Sequence, residues 1–438
     1  MLSNKKAIYG WAIYDWANSA FATTVMAGFF PLFFKQFWSA GVDVNLSTAR
    51  LGLGNALAGL LVAFLAPVLG AAADEGGARK KFLIAFAYLG VLMTAALAMI
   101  QKGQWQWAVV VYAIGSVGFS GANVFYDSLL PRIAEEKDWA RVSSLGYALG
   151  YIGGGLLFLL NVVITQHPSW FGLSSTIIAV RLSFVSVALW WGGFTVFTLC
   201  WVPEVRHADA ASTRRMVFEG FRQLAKTFRE IRQLKPIWLF LLAYWCYIDG
   251  VDTIVKMAVD YGLSLGFGAS DLILALLLVQ FIGFPAALAF GRLGAGWGER
   301  KAIFLVIGMY MVITLWGVFM KHRVDFYILA ALVGLAQGGI QALSRSYYAR
   351  MIPIEKSAQY FGFYNMLGKF AAIIGPALVG GAGLLARYLL MPDAPSETQL
   401  LAVSRMAARW SLSSILILFF LGAGLFYFAG RQKPLTGR

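Results

Sequence analysis

Trp11-Ala-Ile-Tyr-Asp15-Trp-Ala-Asn18 and Trp245-Cys-Tyr-Ile-Asp249-Gly-Val-Asp252 are two copies of one signature. Each has a tryptophan, a carboxylate four residues on, and a second polar residue three beyond that. Each lies inside a long apolar run, where an ionisable side chain is costly and therefore marks a functional position by default. The duplication implies a chain built from two related halves. A polar pair repeated in both halves points to a transport site near the bilayer midplane.

Working outward, apolar runs long enough to cross a ~30 Å hydrocarbon core recur along all 438 residues. We read twelve, at 8–37, 51–73, 82–100, 105–127, 142–165, 178–202, 236–262, 271–293, 302–320, 326–347, 361–390 and 410–430. Only 13% of residues are charged, against about 25% in a soluble protein. These features predict an all-α membrane protein of twelve transmembrane helices. The net charge of +15 would suggest nucleic acid in a soluble chain. Here an excess of Lys and Arg in cytoplasmic loops accounts for it, and no nucleic-acid partner is expected. With the N-terminus inside, most of the 36 lysines and arginines fall on the cytoplasmic side, so both termini are expected there. The lipid bilayer is the expected surrounding. The compact chain with short loops suggests a bacterial inner membrane. Lys5 and Lys6 before an apolar run superficially resemble a signal peptide, but the run is too long and contains Asp15 and Asn18, which predicts an uncleaved first helix.

Several function classes find no support. Cys200 and Cys246 fall in spans and offer no disulfide framework. His167, His207 and His322 sit in separate loops, so no metal site is expected. The glycines of 291–298 end a span with no strand before them, which is not a nucleotide-binding fingerprint. No hydrolase or kinase constellation is visible, and we expect neither an enzyme nor a cofactor.

The longest polar segment, 203–235, lies midway. Phe218, Phe221, Leu224, Phe228, Ile231 and Leu234 recur in it at helical spacing among basic residues, which predicts a helix on the cytoplasmic membrane surface. The expected organisation is thus an N-terminal bundle (1–202), a basic connector (203–235) and a C-terminal bundle (236–438). Two matches between the halves share an offset of 221 residues, Gly70 to Arg79-Lys80 with Gly291 to Arg300-Lys301, and Ser116, Ser120 and Asn123 with Gln337, Gln341 and Ser344, while the Trp-Asp signature is offset by 234, a longer loop after the first span accounting for the difference.

Gly70-Ala-Ala-Ala-Asp74-Glu-Gly-Gly-Ala-Arg79-Lys80 resembles the loop motif between helices 2 and 3 of the major facilitator superfamily. The second-half copy has Ala295 where Asp74 would align. Within that superfamily, Tyr14-Asp15-Trp16-Ala17-Asn18-Ser19-Ala20-Phe21 resembles the opening of the vacuolar amino-acid effluxer family and its bacterial relatives. So does Phe240-Leu-Leu-Ala-Tyr244, followed by Asp249-Gly250-Val251 and Met257-Ala258. The resemblance covers essentially the whole chain. It implies a major facilitator fold of two pseudo-symmetric six-helix bundles rocking around a cavity lined by helices 1, 4, 7 and 10. It also implies amino acids as substrates, and Gly70, Asp74, Arg79 and Lys80 as a cytoplasmic gating latch. The chain departs from the family pattern at Asp252 and Lys256, where uncharged polar residues are usual.

Helical spacing at ~100° per residue places polar stripes on the same four spans. Asp15, Asn18 and Ser19 form one; Ser116, Ser120, Asn123 and Asp127 another; Asp249, Asp252, Lys256 and Asp260 a third; Gln337, Gln341, Ser344 and Arg345 the fourth. We therefore expect a cavity built from Asp15, Asn18, Ser120, Asn123, Asp249, Asp252, Lys256, Gln337 and Gln341. Asp249, deep in its span, or Asp15 is the expected carrier of a coupling proton. Asp252 and Lys256 form an i, i+4 pair in the favourable order. No ATP-binding motif is present, so the expected function is secondary active transport of a small solute, driven by a proton or other ion gradient. Export of a larger amphipathic compound and a non-transporting receptor on the same scaffold are the alternatives.

Overall fold

The computed structural model describes residues 2–431 except 43, 77, 205–225, 227, 265–267, 321 and 393–395. The side chains of some helical residues, Lys256 and Asp260 among them, also lie outside the described set. The described chain is almost entirely helical. Helix α1 runs over Leu2–Ala20 and continues without a turn through a π-helical stretch (Phe21–Phe29), an α-helical turn (Phe30–Phe33) and a second π-helical stretch (Phe34–Trp38). There follow α2 (Val44–Gly76), α3 (Arg79–Leu97), α4 (Trp105–Ile133), α5 (Trp139–Gln166) and α6 (Thr176–Trp201). The second half contains α7 (Lys235–Ser264), α8 (Ala269–Trp297), α9 (Glu299–Phe319), α10 (Arg323–Ala349), α11 (Ser357–Leu390) and α12 (Glu397–Ala429).

Among the described residues eleven of these helices are long and apolar enough to cross a membrane, and α2 adds a shorter apolar stretch, Gly59–Asp74. Large apolar side chains such as Phe64, Leu92, Leu189 and Phe420 point outward, as a helix surface facing lipid requires. The helix ends follow local chemistry. Ser396 opens α12 with a capping box: its Oγ accepts from Gln399 N (3.3 Å) while Gln399 Oε1 accepts from Ser396 N (2.9 Å), which satisfies two otherwise orphaned donors. Gly298, at φ +98°, makes the sharp corner between α8 and α9, a conformation that penalises any Cβ.

Within the first bundle α1 packs on α5 and α6, and α4 on α2 and α3. Within the second, α7 packs on α11 and α12, and α10 on α8 and α9. The bundles meet along two seams, α5 against α8 and α10, and α2 against α11. Small residues let backbones approach there, as is usual between membrane helices. A Cβ on Gly362 would meet Ala66 O and Pro67 Cα at 2.7 Å, and one on Gly70 would run into the Ala358 carbonyl.

α4 extends to Ile133 and α10 to Ala349, and Arg345, a member of the fourth polar stripe, lies within α10 and is buried. Most of the basic connector, 205–225, lies outside the described residues. Its described end packs on protein: Ile231 is buried, and Phe228 lies against Trp238 and Phe363.

Candidate functional site

A cavity of about 460 Å³ lies between the two bundles. Its polar lining includes five expected positions, on two helices of the first half and one of the second: Asp15 and Asn18 of α1, Asn123 of α4, and Gln337 and Gln341 of α10. Asp127 and Arg345, members of the same stripes, complete its closed end. The cavity runs from there to Leu272 near the start of α8, Met320 after α9 and Phe326 near the start of α10.

Arg345 organises the closed end. It is 1% exposed. Its Nη1 lies 3.1 Å from Asp127 Oδ1 and 3.8 Å from Asp15 Oδ2. Its Nε donates to Ser143 Oγ (2.9 Å) and its Nη2 to the Ser143 carbonyl (2.7 Å). The planar guanidinium lies over the rings of Tyr147, Trp11 and Tyr126, at 4.3, 4.8 and 5.2 Å from their centroids. Such stacking suits arginine's weakly hydrated plane better than a lysine ammonium. Tyr126 donates its hydroxyl to Asp15 Oδ2 (2.9 Å), Asn365 donates to Asp127 Oδ2 (3.0 Å), and Trp11 Nε1 donates to the Tyr126 carbonyl (2.7 Å). One guanidinium from the second half thus joins α1, α4 and α5 of the first. Trp11, conspicuous in the sequence, packs in this cage rather than at a membrane interface.

Helix α7 departs from the expected pattern. Asp249 is 1% exposed and is not among the described lining residues. Its Oδ2 accepts from Gly375 N of α11 (2.9 Å), and Thr253 Oγ1 lies 3.4 Å from its Oδ1. The cavity instead meets Tyr244, Ile254 and Val255 of α7. At ~100° per residue, five residues separate Asp249 from both Tyr244 and Ile254 by ~140°, so Asp249 faces α11. Asp252 is half-buried and also outside the described lining. The side chain of Lys256 lies outside the described residues. Ser120 is buried but does not line the cavity.

The loop motif lies at the bundle boundary. Both Asp74 oxygens accept backbone N–H groups at the start of α11, from Ala358 (3.1 Å) and Gln359 (2.8 Å), where a helix favours negative charge. Arg79 pairs with Asp74 and donates to the Glu355 carbonyl (2.7 Å). Lys80 stays in its own bundle, donating to the Val202 carbonyl (2.8 Å) at the end of α6. In the second half Arg300 repeats this role at the end of α12, on Gly430 O and Tyr427 O. Three further contacts cross at the same end: Ser357 Oγ to Ser128 O, Arg132 to Ile354 O, and Arg350 to Glu136 at 3.0 Å. Arg350 also pairs with Glu299, the first residue of α9 (2.8 Å).

Tyr147 and Tyr151 of α5, Gln280 of α8, and Tyr364 and Asn365 of α11 also line the cavity. Gln280 and Asn365 are lone amides within apolar runs, a signal visible in sequence. Gln280 Nε2 donates to Thr23 Oγ1 (2.5 Å) in the π-helical part of α1. π-helical distortions often occur at functional sites, and this one follows directly on the Asp15–Ser19 turn.

The chain matches the family described as vacuole effluxer Atg22 like over residues 3–382. It is 40% identical over 375 residues to the uncharacterized MFS-type transporter YxiO of Bacillus subtilis, covering 84% of this chain and 86% of that one. It is 23% identical over 524 residues to autophagy-related protein 22 of Coccidioides immitis, covering 89% and 86%. Its fold is similar to that of the human organic anion transporter MFSD10, with a TM-score of 0.65 at 14% identity over 96% of this chain and 98% of that one. With a two-bundle helical fold around a polar cavity and a family match across most of its length, the chain belongs to the vacuole effluxer Atg22-like family and is a major facilitator superfamily transporter, not an enzyme.

Proposed function

We propose that the protein moves a small amino compound, amino acids being the leading class, by proton-coupled alternating access. The supporting observation is the composition of the closed end of the cavity: two carboxylates, Asp15 and Asp127, share the single guanidinium of Arg345. Both carboxylates ionised would leave a surplus negative charge in a buried site, which a proton or a cationic solute neutralises. The pairing also spans the bundle boundary, so occupancy of the site and contact between the bundles are linked. Asp15, which lines the cavity, replaces Asp249 as the proposed coupling carboxylate. The loop motif and its neighbours close one end, while the lining reaches the opposite helix ends. With the basic loops and both termini on the cytoplasmic side, this is an outward-facing state in an inner membrane.

Reconstitution into proteoliposomes tests the proposal. Labelled neutral amino acids should accumulate or exit when a pH gradient is imposed, and the flux should stop when the gradient is collapsed. Asp15→Asn should uncouple flux from the gradient. The groups that face Asp15 include Tyr126 and Asp127 of α4, Tyr147 and Tyr151 of α5 and Arg345 of α10, and Asp127, the other carboxylate, gives the comparison, Asp127→Asn. Equal flux with and without a gradient in the wild type would exclude proton coupling.

A further inference from the structure

Among the described lining residues Arg345 is the sole cation. Its three nitrogens are engaged by Ser143, Asp127 and, more loosely, Asp15, and its plane lies over Trp11, Tyr126 and Tyr147. A solute carboxylate therefore finds no open edge or face on it. Asp15 presents the opposite situation. Its Oδ2 accepts from Tyr126 and faces Arg345 at 3.8 Å. Its Oδ1 has no hydrogen-bond partner among the described residues, although the residue is only 8% exposed and lines the cavity. That oxygen is open to the cavity rather than sealed in protein, so a ligand donor can reach it and form a charge-assisted hydrogen bond. Away from this end, Leu272, Leu276, Ile313, Leu329 and Val333 form an apolar wall.

We propose that Asp15 Oδ1 docks the ammonium group of the substrate, that an apolar body lies along the α8–α10 wall, and that a substrate carboxylate is dispensable. This deepens, and rests on, the reading of the cavity as the substrate site. The substrate class is a primary amine with an apolar body, within which an amino acid is one case. A proton and an ammonium group then take turns at the same carboxylate, which makes the coupling an exchange.

A matched ligand series tests this on the full-length wild-type protein in detergent, with binding followed by calorimetry. Phenylalanine carries both groups, 2-phenylethylamine only the amine, and 3-phenylpropanoate only the carboxylate. Phenylalanine and 2-phenylethylamine should bind with similar affinity, and 3-phenylpropanoate about tenfold to a hundredfold more weakly, the range for one lost charge-assisted hydrogen bond. Asp15→Asn should weaken the two amines by a similar factor and leave 3-phenylpropanoate unchanged. Should that variant not fold, the wild-type series decides alone. Binding of 3-phenylpropanoate as tight as phenylalanine, with 2-phenylethylamine weak, would overturn the proposal while leaving the cavity as the substrate site. No binding by any of the three would instead count against the amino-compound reading itself.

Discussion

Arg345 shows how one residue is held in place by chemistry from six others. A buried charge with two carboxylate neighbours, a serine and three aromatic faces is stable as a set and unstable in parts. Removing one partner of such an arrangement costs about 3–5 kcal/mol, because the remaining charge stays buried. Arg345→Ala should therefore lower the unfolding temperature sharply in a detergent thermal-shift assay. Arg345→Lys should fall between, since a lysine keeps the charge but not the fork or the stacking plane. Asp249 makes a different prediction. Its described partners, the Gly375 amide and Thr253, lie on α11 and α7 rather than in the cavity. Asp249→Asn keeps an acceptor for the Gly375 N–H and should retain the wild-type pH profile of transport. Asp249→Leu should be less stable than Asp249→Asn in the same thermal-shift assay. A changed pH profile in Asp249→Asn would return this residue to the coupling role expected from its depth in the span. The value of both carboxylates was legible in the sequence because an acid in an apolar run stands out. Their separate destinations were not, because a stripe on a helix fixes which residues share a face but not what that face meets.

At the scale of elements, α2 and α11 depend on close contact. Gly70 lies against the Ala358 carbonyl and Gly362 against Ala66 and Pro67, so neither has room for a side chain while this end is closed. Gly70→Leu should therefore open that end and populate the state accessible from the loop side, read as faster labelling of Ser128→Cys by a reagent added on that side. No change in labelling would show that the seam has slack. The π-helical stretches of α1 belong to this scale too. Nothing in Phe21–Phe29 departs visibly from an ordinary apolar helix, and its hydrogen-bond register is set by what it packs against, including Gln280 through Thr23.

For the molecule as a whole, the loop-motif end holds the halves together through polar contacts, which on the proposed alternating-access cycle break when the cavity opens the other way. Asp74 is central, because it satisfies two backbone donors of the opposite bundle and pairs with Arg79. Asp74→Ala should widen the distance between spin labels placed on the α2–α3 and α10–α11 loops and shift the population towards the inward-open state. Lys80→Ala should not, since Lys80 caps α6 within its own bundle.

The sequence by itself determined the membrane setting, the helical class, the repeat and the main polar positions. Those follow from local rules: the cost of backbone and charge in lipid, the length of an apolar run, and a periodicity that any helix obeys. The loop motif and the first-helix signature carried the family resemblance for the same reason, being short and contiguous. Only the tertiary structure decided how the helices are rotated about their axes. That rotation turns Asp249 to α11, brings Arg345 between Asp15 and Asp127, and adds Tyr147, Gln280 and Asn365 from spans with no polar stripe. Rotation depends on packing between residues distant in sequence, and no local pattern in the chain specifies it.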